Sequence, residues 1–236
     1  MVFRSGGRRR SLRRVMVVEN SEALETMPSA SDRNSAYTAA AGNPMLVALP
    51  TFLVGSITLG LWLIGYLPTA LPGGLVAGVF FASGVGVILG AAWAARLGQS
   101  AVAGVLATFG TFWLSFGVLV FGLVNGLFGV STTDAAAAGS QVQSVQATFL
   151  LSWLIVLVVM TLATTRLPLA YTVLFVLVDI ALGLVLAGVL AASSALLVWG
   201  GIAVFGFCLV GAYLFYGAMS EELGGSSAPL GSPLTQ

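Results

Sequence analysis

Residues 169–191 read LAYTVLFVLVDIALGLVLAGVLA, an apolar run broken by one acid, Asp179. A helix needs about 20 apolar residues to cross the hydrocarbon core of a bilayer. The surrounding sequence has the same character. Between Arg33 and Glu221 the chain carries four charged residues, Arg96, Asp134, Arg166 and Asp179. The first three fall at predicted helix connections, and only Asp179 lies inside a span. Over all 236 residues, 58% are hydrophobic and 7% charged, against about a quarter charged in a soluble domain. The chain therefore reads as an all-α integral membrane protein.

Six segments meet the length requirement, near 45–66, 73–94, 101–124, 147–165, 169–191 and 195–219. The breaks have physical causes. Pro68 and Pro72 bracket the first, and Arg96 with Gly98 marks the second. The third is read as a long polar loop over 129–146 containing Asp134. Arg166 with Pro168 marks the fourth, and Ser193 with Ser194 the fifth. Residues 1–41 hold an Arg cluster and then a polar stretch, and are expected to be a disordered leader. No apolar run follows the Arg residues, so the leader does not read as a secretory signal. It could bind anionic headgroups. Residues 42–223 are expected to form the membrane domain, and 224–236 a flexible tail. All nine Arg fall on one side if both termini are cytoplasmic, as the positive-inside rule requires.

Composition excludes several functions. There is no His, and the one Cys, Cys208, lies inside a span, so no disulfide framework, metal site or cofactor is expected. No general base, paired carboxylates or nucleophile elbow is visible, so an enzyme is not expected. The Arg residues are segregated at one end, which does not suggest a nucleic-acid-binding face. Gly78, Ala82, Gly86 and Gly90 recur every fourth residue, a small-residue stripe suited to close helix contact within or between chains. The hydroxyls in the spans (Thr51, Ser56, Thr58, Ser83, Thr108, Thr111, Ser115, Thr148, Ser152, Thr161) can each bond a carbonyl of their own helix. Collectively they could line a path.

Asn43 and Pro44 open the first helix, where Asn caps and Pro suits the first turn. A helix start also offers free N–H groups to an anion. Pro50, further in, frees a carbonyl and suits a cavity wall. A charge at Asp179 costs about 2.5–3.5 kcal/mol on the lenient insertion scale. A protonated, hydrogen-bonded acid or an ionised one beside water relieves that cost, and a proton-exchange site is one reading of it. Phe52, Phe109, Phe112 and Trp113 are candidates for a hydrophobic gate, with ordinary core packing as the plainer account.

These motifs resemble the acetate uptake transporter family. That family opens with Asn-Pro-Ala-Pro-Leu-Gly and then a Phe. Here Asn43, Pro44 and Phe52 match, while the second Pro and the Gly do not. Phe109-Gly110-Thr111-Phe112-Trp113-Leu114-Ser115 is similar to the family's Tyr-Gly-x-Phe-Trp-Leu-Ser/Thr. Trp153, Tyr213 and the ending from Glu221 to Gly231 also correspond. The resemblance implies a hexamer with a path through each protomer and a constriction at Phe52, Phe109 and, approximately, Val178. Phe replaces the family's Tyr, and Val its Leu. An acid stands at Asp179 where a related permease has a small hydroxyl residue, and Ala94 lies near the place of a family acid. The expected function is a proton-linked transporter or channel for small monocarboxylates such as acetate in the cell membrane, with Asp179 tuning protonation. A channel for a neutral solute such as ammonia or urea, and a non-transporting protein acting through its basic leader, are the rival expectations.

Overall fold

The computed structural model describes residues 42–131 and 133–235. The Arg-rich leader lies outside them. Six described helices are long and apolar enough to cross a membrane: α1 (Met45–Leu63), α2 (Pro72–Arg96), α3 (Ser100–Val124), α4 (Ala135–Thr164), α5 (Leu169–Leu190) and α6 (Ser194–Glu222). The spans are those expected, with boundaries shifted by up to three residues except at the start of α4.

The largest change is in α4, which starts at Ala135 rather than 147, about three turns earlier. Residues 135–146 are not a polar loop. Asp134 caps the helix, its Oδ1 accepting from the N–H groups of Ala136 and Ala137 at 2.9 and 3.1 Å. The extension is used: the Gln143 amide donates to the carbonyls of Val189 and Leu190 at 2.8 and 3.1 Å. Those carbonyls end α5 and have no partner within their own helix. At its C-terminal end α6 runs on to Glu222.

Packing runs α4–α5–α6–α1–α2–α3 through the bundle, while α3 and α4 meet only lightly. Phe112 and Phe116 of α3 reach across that gap to Phe149 of α4, with centroids 5.9 and 6.0 Å apart, and Phe112 meets Trp153 at 5.4 Å. Much of α4, including Ile155, Val159 and Leu162, stays exposed.

The small-residue stripe of α2 faces α1, so it serves a contact within the chain. Glycine is required there: a Cβ at Gly86 would lie 2.5 Å from Thr51, and one at Gly90 2.8 Å from Ala48. One member differs from expectation. Ala77–Val85 is π-helical, and its wider turn brings Ser83, rather than Ala82, onto the α1 face.

The segment after α6 turns back along the bundle. Tyr213 donates to the Pro229 carbonyl at 2.7 Å, the Ala170 N–H donates to Leu230 at 2.9 Å, and the N–H groups of Leu234 and Thr235 donate to Thr165 at 2.9 and 3.1 Å. Composition alone reads this Gly/Ser/Pro-rich stretch as free; its backbone bonds hold it to the α4–α5 turn.

Candidate solute path

Two cavities lie in the bundle, of about 330 and 260 Å³. The larger lies among α1, α3, α4, α5 and α6 and extends from Phe52 and Phe109 to Pro72, Val142, Gln146 and Val189. The smaller extends from the same two rings to Met45, Ala101, Leu167 and Leu214. Phe52 and Phe109 are the two residues common to both walls. Their centroids lie 5.3 Å apart at an interplanar angle of 73°, an edge-to-face contact. Both side chains are buried.

This partition brings together three of the residues expected at the constriction. Val178 is buried and lines the larger cavity. The structure adds two aromatics that sequence reasoning missed. Phe175 of α5 meets Phe109 at 5.3 Å and lines the smaller cavity; Phe207 of α6 meets Phe52 at 5.7 Å and lines the larger. Periodicity held a signal for Phe175. Positions 175, 178, 182, 185 and 189 follow helical spacing, and all but the first line the larger cavity.

The same geometry displaces Asp179 from the path. Successive helical residues are about 100° apart around the axis. With Val178 turned to the cavity, Asp179 is turned from it, and Asp179 lines neither wall. Its carboxyl meets the Thr161 side chain of α4, and Oδ1 is buried without a hydrogen-bond partner. Thr161 already donates to the Leu157 carbonyl at 2.9 Å. A hydroxyl carries one proton, so in this arrangement its oxygen has only acceptor capacity to offer Asp179.

Asn43 and Pro44 also lie outside both walls. Asn43 Oδ1 accepts from the Met45 N–H at 3.0 Å, so the side chain serves its own helix start. Pro44 is fully buried.

Among the described residues, no Asp, Glu, Lys or Arg lines either cavity. Polar groups in the larger wall are Gln146 and the indoles of Trp62 and Trp113, both of whose Nε1 atoms are buried without a partner. Among the described residues there is no cluster of His, Cys, Asp or Glu able to hold a metal. The arrangement can admit a small, largely apolar solute to either side of an aromatic partition. It holds no group placed for covalent chemistry.

Comparison with known proteins agrees with this architecture. A solved structure titled "Structure of the bacterial acetate channel SatP" matches with a TM-score of 0.68 and 21% identity, over 80% of this chain and 99% of that one. At that identity the match carries the fold. No curated protein matches at a significant level. The family model described as GPR1/FUN34/yaaH family matches residues 27–226, a span that includes all six membrane helices. The chain belongs to the GPR1/FUN34/yaaH family, the acetate uptake transporter family that its motifs resemble.

Proposed function

We propose that this multi-pass membrane protein is a transporter or channel for small monocarboxylates such as acetate. The observation that carries the proposal is the partition: two apolar cavities meet at Phe52 and Phe109, without a fixed charge in either wall. The fold shared with an acetate channel supports it.

The chemistry of the walls favours a particular form of the solute. A bare carboxylate moved into a medium of low dielectric pays a large desolvation cost, whereas a neutral acid pays only that of a polar group. A dry aromatic constriction therefore passes the protonated acid more readily than the anion, or passes the anion only when wetted. Proton linkage in this reading travels with the solute. As the neutral acid, Asp179 donates to Thr161 and ties α4 to α5. The Arg distribution supports cytoplasmic termini, and the cell membrane is the location this reading assigns. A hexamer follows from the family resemblance.

The test is uptake of labelled acetate into proteoliposomes across a pH gradient, compared with empty liposomes. Uptake no faster than in empty liposomes removes the proposal. Because the path lacks fixed charge, a neutral solute such as urea or ammonia is the second reading. Acetate flux that neither solute inhibits, in vesicles impermeable to both, excludes it.

A further inference from the structure

Nine of the ten span hydroxyls named from the sequence bond a carbonyl of their own helix; Ser83 is the exception. Ser83 is fully buried, and its hydroxyl bonds backbone groups of α1. The Gly55 N–H donates to Ser83 Oγ at 2.8 Å, and Ser83 Oγ donates to the Thr51 carbonyl. Thr51 and Gly55 are four residues apart, so their carbonyl and N–H would ordinarily pair with each other. The same Oγ lies 3.3 Å from the Phe52 carbonyl, which also accepts from Ser56 at 2.8 Å.

Three features support this insertion. A Cβ at position 55 would lie 2.3 Å from Ser83 Oγ, so only glycine leaves room for it. The π-helical stretch Ala77–Val85 places Ser83 on the α1 face, and such stretches recur at functional sites. Pro50 lies inside α1 and has no N–H, so the ladder is already interrupted one turn before. The turn carrying Phe52 thus lies between a proline and an inserted side chain, both recognised causes of helix distortion.

We infer that Ser83 is the positioning residue of the constriction: it holds the Phe52 turn of α1 open and so sets how the Phe52 ring packs against Phe109, making it a determinant of solute size. The inference rests on the proposed transport reading. Ser83 lines neither cavity, so it acts through Phe52. Without its hydroxyl, Thr51 and Gly55 pair directly, the turn tightens, and the Phe52 ring moves against Phe109.

The experiment uses the full chain in proteoliposomes, as wild type, Ser83→Ala and Ser83→Thr, with two readouts. The first is the ratio of propionate to acetate flux. Ser83→Ala is expected to change it by at least about threefold, less than the roughly 10–200-fold that one methylene is worth in an apolar pocket, and Ser83→Thr, which keeps the hydroxyl, to restore it toward wild type. The second is the NMR shift of the 15N-labelled Gly55 amide, which does not depend on transport. It is expected to move in Ser83→Ala. An unmoved Gly55 amide overturns the insertion. A moved amide with an unchanged flux ratio overturns the role in selectivity. If the wild type carries neither acid, the transport reading fails and the role in selectivity with it, while the amide still tests the insertion. Should Ser83→Ala not assemble, Ser83→Cys, whose thiol is a weak donor, is expected to shift both readouts in the same direction by less. Unshifted readouts in Ser83→Cys count against the proposal as they do in Ser83→Ala.

Discussion

Phe52 and Phe109 stand edge to face, 5.3 Å apart, and are the two side chains shared by the walls of both cavities. They come from different helices, α1 and α3, so the partition depends on the bundle and not on one element.

Truncating one ring should join the cavities. Phe52→Ala is expected to raise acetate permeability and relax discrimination against larger acids such as butyrate, measured in proteoliposomes. The same change should lower thermal stability, since deleting a buried Phe side chain costs about 3–5 kcal/mol in soluble cores. Lower stability with unchanged selectivity would mean that the ring is packing and not partition.

Phe109→Tyr should act in the opposite sense to truncation on packing and the same sense on flux. It keeps the ring and adds a hydroxyl beside a dry contact, which eases wetting of the constriction. We expect acetate flux to rise with little change in Tm. A fall in flux would argue against dewetting as the barrier.

The pH dependence should belong to the solute. Among the described residues no Asp, Glu, Lys or Arg lines the cavities, and carboxylic acids titrate at about 4. Well above that, each unit of acidification raises the neutral-acid fraction about tenfold. Uptake at fixed total acetate should therefore climb steadily as external pH falls from 7 to about 5, following the neutral-acid fraction. A bell-shaped profile would require a titrating protein group and would count against this account.

Asp179→Asn tests the displaced acid. Asn keeps the shape and can donate to Thr161. Uptake and its pH profile should stay within about twofold of wild type, well under 1 kcal/mol. Loss of uptake in a folded, correctly inserted variant would return Asp179 to the mechanism.

The α1–α2 seam predicts a contrast between two glycines. Gly86→Val meets Thr51 and should lower Tm, with overpacking costing about 1–3 kcal/mol. Gly104→Ala in α3 meets nothing within 4 Å and should keep Tm or raise it slightly, since Ala is the better helix former. Equal effects would mean that the close approach of α1 and α2 is unimportant.

The spans were legible because a bilayer imposes a length and a composition that local sequence alone must satisfy. The start of α4 was not read, because Gln141, Gln143 and Ser144 look like a loop. Asp134 before four alanines was the available signal, an N-cap followed by strong helix formers. Phe52, Phe109 and Val178 were reached through motif resemblance, and Phe175 was available from periodicity.

What remained depended on rotation. Whether a residue faces a cavity, a neighbouring helix or lipid is set by the phase of its helix, and residue 178 differs from 179 by about 100°. The sequence by itself determined an all-helical membrane protein with six spans and a clear Arg asymmetry. Only the tertiary structure left Asp179 out of both cavity walls. Only the π-helical turn, one residue wider than an α-turn, set Ser83 in place of Ala82 against the backbone that carries Phe52.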